Sequence, residues 1–464
     1  MTLNEKTAQL VMEKALSSGG DFAEIYLEDE ITHDVRMLGQ EVEDASYSRF
    51  HGAGIRVLSG DQYAYAYTAD TSEEGLLKAA AQAAAGLKGS ASLRPAAFTP
   101  SRFENGVKIP FSAIDNQKRI NMLTLGARAA AAYSPEITQV STSFMDTQKE
   151  VLICNSEGLW VQDSRPRTQM VIQAIASNGN EAQTGRVRPG RTMGFEVYSE
   201  LFDIEAEARA AAKQAVTMLH APECPSGVMP VVMAGGFGGV IFHEACGHSL
   251  ESSSVSRGNS EFCGKLGQVV ATPIVTAIDD GTMPGEWGSL HVDDEGTPTQ
   301  RNVLIENGVL KSYMVDRIGS RRMGLPMTGS CRRQNYTFIP TSRMTNTFIA
   351  PGTDDDEEMI RTMGTGLYAA AMGGGSVNPI TGEFNFNVME GYLVRDGKIV
   401  SPVRGATLIG KGSEILMQID RIGRSMSMAQ GMCGASSGSI PTNVGQPQIR
   451  VKQITVGGKG GALA

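Results

Sequence analysis

The stretch Gln62-Tyr63-Ala64-Tyr65-Ala66-Tyr67-Thr68 alternates large and small side chains, and the alanine-rich run Leu76 to Leu87 follows it closely. A period of two belongs to a β-strand with two unlike faces, whereas the alanine-rich run reads as a helix. Between them Thr71, with Glu74 three residues on, reads as a capping box that starts the helix. Working outward, Phe22 to Leu27, Ile31 to Met37 and Gly54 to Leu58 read as further antiparallel strands, with Gly and Asp clusters as turns. Glu5 to Ser17 carries a helical stripe through Ala8, Val11, Met12, Ala15 and Leu16. Downstream, Pro95 to Pro110 reads as a loop and Ser112 to Tyr133 as a helix. Thr138 to Phe144, Val151 to Cys154 and Gln169 to Ala176 read as strands, and Asp203 to Leu219 as a helix that ends ahead of Pro222 and Pro225. The fold class expected is therefore α+β.

Near His220 to Gly227 the composition shifts toward glycine, proline and short β segments. This predicts an N-terminal mixed α/β domain over residues 1–220 and a β-rich, glycine-rich C-terminal domain over 221–464. Strands are expected at Val228 to Met233, Val303 to Glu306, Phe384 to Leu393, Lys398 to Pro402 and Ile449 to Thr455. Glu306-Asn-Gly308 and Arg395-Asp-Gly397 read as hairpin turns. The acidic run Asp354 to Glu358 reads as charge favourable to a helix N-terminus.

Composition excludes several functions. Six cysteines at 154, 224, 246, 263, 331 and 433 form no CxxC pair, so they read as reduced intracellular thiols. The opening MTLNEKTAQL has no basic and apolar leader pattern, and the longest apolar run, Pro230 to Phe242, is interrupted by glycines, so no membrane segment is expected. With 41 basic against 50 acidic side chains and a net charge of −9, the chain is a poor match for a phosphate backbone. A cytoplasmic protein that does not bind nucleic acid is the expectation.

Chemistry concentrates in Phe242-His-Glu-Ala-Cys-Gly-His248, which holds two of only six histidines. In a zinc-binding HExxH pair the i, i+4 spacing puts both imidazoles on one helix face. Here the spacing is i, i+5, which on a regular α-helix rotates the second ring by about 140°. Two distortions restore convergence: a π-bulge, or a helix that ends near Gly247. A catalytic zinc takes about three protein ligands, so a third must come from elsewhere. Glu251, His291, the Asp293/Asp294/Glu295 cluster or a cysteine are the candidates, although Cys246 is expected to face away. Glu244 is better placed as general base than as ligand. The plainer alternative is a half-buried helix with hydrogen-bonded histidines.

Several dense segments add a resemblance: FHEACGHSLE at 242–251, the long 279–324 segment beginning DDGTMPGEWGSLHVDDEG, RMTNTFIAPG at 343–352, GATLIGKG at 405–412 and MCGASSGSIPTNVGQPQIRV at 432–451. Together they resemble the TldD branch of the TldD/PmbA family, long described as modulators of DNA gyrase and similar to metallopeptidases. The match spans about residues 220 to 460. The resemblance implies His243, His248 and Cys433 as ligands of one metal, expected to be Zn2+, with Glu244 as base. It further implies hydrolysis of unfolded proteins or peptides by a metal-activated water. It also implies a dimer, either with itself or with a PmbA/TldE-like paralogue that lacks the metal motif, with residues 1–220 forming dimer contacts and an enclosing substrate channel. The rival expectations are a non-catalytic peptide-binding modulator with a structural metal, and an enzyme using Cys433 as nucleophile.

Other signals are set aside. Gly434-Ala-Ser-Ser-Gly438 matches a nucleophile elbow, but Ser439 onward reads as loop and strand and no histidine follows His291. Arg321, Arg322, Arg332 and Arg333 are expected to be solvated or paired with acids. Ala234-Gly-Gly-Phe-Gly-Gly239 allows either close substrate approach or tight packing.

Overall fold

The computed structural model describes residues 3–89, 93–378 and 381–463; Met1, Thr2 and Ala464, which begin and end the expected domains, lie outside them. The chain is α+β and its C-terminal half is β-rich, as the sequence predicts. Residues 22–191 build one mixed sheet, with strand order Gln62–Thr68, Glu41–Ser59, Phe22–Leu38, Ile137–Asn155, Leu159–Ser177 and Thr99–Phe103. Along Phe22–Leu38 the odd-numbered Ala23, Ile25, Leu27, Val35 and Met37 enter two cores formed with the helices Glu5–Ala15, Glu73–Ala85, Asn116–Ala131 and Ile204–Leu219. The even-numbered Phe22 and Tyr26 face the other way, against Ile318, Val292 and Tyr336 of the second half. The sheet is thus a middle layer between helices and the C-terminal half.

Three expectations change here. The predicted strand pairs 22–27/31–37 and 138–144/151–154 are single long strands, Phe22–Leu38 and Ile137–Asn155. Glu28 and Glu30 break the apolar pattern of the first, yet both pair with Lys149 of the second across the sheet, at 2.9 and 3.0 Å. The loop 95–110 contains the edge strand Thr99–Phe103, which is exposed throughout and so carries no hydrophobic alternation. The helix after Thr68 is capped by Ser72, one residue beyond the predicted Thr71, whose side chain accepts from the Gly75 N–H at 3.2 Å.

In the second half, Val309–Leu310, Arg301–Glu306, Ala277–Asp280, Asn346–Ile349, Gly438–Gln446 and Ser427–Ala435 form a sheet in that order, leaving Ser427–Ala435 at its edge. The strands Gly366–Val377, Gly227–Met233, Ile449–Gly457, Thr407–Lys411 and Glu383–Arg395 pair in sequence, and the last returns to the first to close a ring. Both predicted hairpin turns form, with Asn307 and Asp396 at φ 48° followed by Gly308 and Gly397 at 81° and 71°. The acidic run caps the helix Asp356–Arg361 through Asp355. No helix among the described residues is long and apolar enough to cross a membrane.

The sheet of residues 22–191 docks on the second half through buried ion pairs. Arg56 reaches Glu24 at 2.9 Å and Glu295 at 2.6 Å, Arg333 reaches Glu24 at 2.7 Å, and Arg165 reaches Asp163 and Asp294 at 2.8 and 2.6 Å. Arg332 is buried as well, whereas Arg321 and Arg322 pair with Asp21 and Asp61. These arginines are therefore structural, and the pairs Arg56–Glu295, Arg165–Asp294, Arg333–Glu24, Arg321–Asp21 and Arg322–Asp61 join the two halves of the chain. Removing one partner of such a network strands a buried charge. Arg56→Met is expected to lower stability by about 3–5 kcal/mol, read as a fall in the denaturant midpoint; a loss below about 1 kcal/mol would mean that the network behaves like exposed pairs.

Candidate metal centre

The strand Gly227–Met233 leads into a tight turn at Gly236–Gly239, a helical turn Val240–Phe242 and then the histidine motif. Over His243–Gly247 the helix widens into a π turn, with the His248 N–H donating to the His243 carbonyl five residues back. Of the two distortions that the spacing allowed, the π-bulge is the one formed, and it returns His248 to the face of His243. The glycines serve packing: a Cβ on Gly239 would strike the Gly445 backbone, and one on Gly412 the Ala245 carbonyl.

Both imidazoles converge on the edge strand Ser427–Ala435. Cys433 Sγ lies 3.3 Å from His243 Nε2 and 3.2 Å from His248 Nε2, and the rings stand 5.1 Å apart at 81°. Glu244 Oε2 is 3.7 Å from His248 Nε2 and lines a cavity of about 640 Å³ together with His248, Glu251 and Ala435. Burial alone would raise the Cys433 thiol, but His243 and His248 outweigh it and hold it down to about 3. Burial would lower the His248 pKa, yet the Glu251 carboxylate and Cys433 raise it well above the usual histidine value.

The other third-ligand candidates are engaged elsewhere. Glu251 accepts from His248 Nδ1 at 3.1 Å, which fixes the ring with Nε2 toward Cys433. His291 pairs with Asp163 at 2.9 Å and stacks on Phe103. Asp294 and Glu295 hold Arg165 and Arg56, while Asp293 accepts from the backbone N–H groups of Glu295, Thr297 and Cys331. Cys246 points into the hydrophobic core, as expected. Gly434-Ala-Ser-Ser-Gly438 is the turn of a hairpin between two strands, so no elbow exists.

Arg343 was not singled out in the sequence. It is fully buried, donates to the Cys433 carbonyl at 2.6 Å and to Ser437 Oγ at 2.9 Å, and so fixes the strand that carries the thiol. Its segment belongs to the dense motifs, but a lone arginine has no spacing that would announce the role.

His243, His248 and Cys433 offer two nitrogens and a sulfur within 4.8 Å of one another. Tetrahedral zinc, with bonds of about 2.3 Å to sulfur and 2.0–2.1 Å to nitrogen, would separate N from S by roughly 3.5 Å, so the observed 3.2–3.3 Å spacings fit after a shift of a few tenths of an ångström. The carboxylate on His248 Nδ1 is the partner that metal-ligating histidines commonly have.

Comparison with known proteins follows the same lines. Models of the PmbA/TldA metallopeptidase C-terminal domain, central domain and domain 1 match residues 226–458, 109–219 and 23–86. The chain is 35% identical over 454 residues to a Haemophilus influenzae metalloprotease TldD homolog, covering 94% of this chain and 93% of that protein. Its fold is similar to a crystal structure of a putative modulator of a DNA gyrase from Thermotoga maritima, with TM-score 0.81, 21% identity and coverage of 98% and 100%. It is also similar to TldE from Thermococcus kodakarensis, with TM-score 0.76, 19% identity and coverage of 97% and 99%.

Proposed function

The chain belongs to the PmbA/TldA metallopeptidase family, of which TldD proteins are members, and from that premise we propose that it is a zinc-dependent peptidase acting on unfolded proteins or peptides. The observation that carries this reading is the convergence of His243 Nε2, His248 Nε2 and Cys433 Sγ beside a cavity lined by Glu244. In it, His243, His248 and Cys433 are the ligands and Glu244 the base. When bound, zinc supplies Lewis acidity toward a peptide carbonyl and lowers the pKa of water. Glu244, within reach of the centre but not one of its three donors, takes the proton of the attacking water and passes it to the leaving amine. Glu251 holds His248 in register, and Arg343 holds Cys433.

The substrate joins the edge strand. Asn443 of the neighbouring strand donates its N–H to Thr345, so its partner Gln430 directs its own backbone groups away from that neighbour, as alternation then requires for Met432 and Gly434. A free edge beside the centre suits an extended peptide of any sequence. Folded proteins hold most of their strands already paired and protect the edges that remain, which favours unfolded chains. The protein works in the cytoplasm as a dimer, with itself or with a PmbA/TldE-like paralogue; the shared fold with TldE supports such a pairing. A non-catalytic modulator with a structural metal would need a fourth protein ligand, and of the two candidates Glu251 is bonded to His248 Nδ1 and His291 to Asp163.

Chelation is the direct test. Hydrolysis of an unfolded polypeptide is expected to vanish with a chelator and return with zinc, while a folded substrate resists throughout. Full activity after chelation, together with loss on thiol alkylation, would point instead to Cys433 as a nucleophile.

A further inference from the structure

A second cavity, of about 390 Å³, lies at the other end of the edge strand, against Met428, Ala429 and Gln430. Its opposite wall carries Arg186, Arg188 and Arg191. Arg191 sits over the Phe202 ring at 5.3 Å and lies 3.8 Å from Glu286, a loose pair. Among the described residues neither Arg186 nor Arg188 has an ion-pair partner, and both are exposed at the cavity. Glu207 is the one carboxylate in the lining, set against three arginines. Three guanidiniums facing so little negative charge form a site for an anion, and the fork geometry of arginine suits a carboxylate.

The position of this cavity on the strand gives it a meaning. At about 3.4 Å per residue, Gln430 lies roughly 10 Å and Met428 roughly 17 Å from Cys433 along the strand. A peptide added antiparallel to Ser427–Ala435 would lead its C-terminal side from the metal centre into the arginine cavity. We propose, resting on the peptidase reading above, that Arg186 and Arg188 form a specificity subsite for a substrate carboxylate about three to five residues C-terminal to the scissile bond. The carboxylate is that of an acidic side chain or of the peptide's own C-terminus. Phe237, Met372 and Met389, in the same lining, accept the apolar part of the neighbouring residues. Sequence-independent main-chain pairing then acts together with one charged anchor.

The test measures binding, with cleavage as a separate control. Fluorescently labelled neutral peptides of roughly ten residues are prepared with an amidated end, with a single Glu walked along the chain, or with a free C-terminal carboxylate at successive lengths. Their affinities are measured by anisotropy on the full-length zinc-loaded Glu244→Gln protein, with and without Arg186→Gln/Arg188→Gln. A carboxylate at the favoured position is expected to tighten binding about 10-fold, and the double substitution to bring it within about 2-fold of the neutral peptide. The Glu and free-carboxylate series show which source the subsite takes. No carboxylate preference at any position, or a preference that survives the double substitution, overturns the subsite. If the wild-type protein fails to cleave the neutral peptide, the peptidase reading fails, while the affinity comparison still decides the subsite.

Discussion

Glu244→Gln is expected to keep its zinc and lose peptide hydrolysis by about 10²- to 10⁴-fold, the usual contribution of a positioned acid or base. The two halves of that result come from different atoms. Metal retention follows because Glu244 is not among the three converging donors, all of which are supplied by His243, His248 and Cys433. Activity loss follows because Gln keeps the shape and hydrogen-bonding reach of Glu but cannot accept a proton at neutral pH. Glu244 Oε2 stands only 3.7 Å from His248 Nε2, so truncation to Ala would also open space beside the ligand; Gln is therefore the cleaner probe and Ala the companion. The fall should lie in kcat, with KM little changed, since main-chain pairing along the edge strand does not involve Glu244. Metal content by atomic spectroscopy and turnover on one unfolded substrate, from the same preparation, check both halves. Hydrolysis surviving at the wild-type rate in Glu244→Gln would remove Glu244 from the mechanism.

The histidine motif was legible in the sequence because its physics is local. The i, i+5 spacing demanded a distortion, and the π turn at His243–Gly247 supplies it. Cys433 was not legible in that way: it lies on a strand 190 residues from His243, and only the resemblance pointed to it. Spacing alone left Glu251, His291 and the 293–295 acids as equals, and each has a different fate in the fold. The same limit explains the merged strands. Phe22–Leu38 looked broken at Glu28-Asp-Glu30, because a sequence window does not show Lys149 opposite them. Thr99–Phe103 was missed for the opposite reason, since it has no buried alternating face and owes its strand form to the backbone of Leu159–Ser177. Arg343 combines both difficulties, being a long-range anchor with no local pattern.

Cys433→Ser is expected to lose both metal and activity, and its pH profile should show why the thiol is needed. With structural zinc sites worth about 10–16 kcal/mol in total, losing one of three protein ligands should weaken zinc by roughly 10²- to 10⁴-fold. Wild-type Cys433 is already a thiolate at neutral pH, because the imidazoles hold its pKa near 3. The thiol therefore contributes no pH dependence to metal uptake across the neutral range. His248 does: its pKa is raised, first against the opposing effect of burial, by Glu251 and then Cys433, and only the neutral ring can ligate. Wild-type zinc affinity should therefore rise with pH by about tenfold per unit until His248 is neutral, and level off above that point. Serine supplies no thiolate, so Cys433→Ser removes one of the influences that raise His248 and its plateau should begin at lower pH, though at far weaker affinity. Glu251→Gln removes the carboxylate instead, keeps the thiolate, and should lower the His248 pKa with a loss of about 10- to 100-fold in affinity, the scale of a lost supporting hydrogen bond. Competition titrations with a zinc chelator across pH separate the three proteins. A Cys433→Ser protein that binds zinc as tightly as wild type would exclude the sulfur from the centre, and with it the three-ligand arrangement on which the peptidase reading stands.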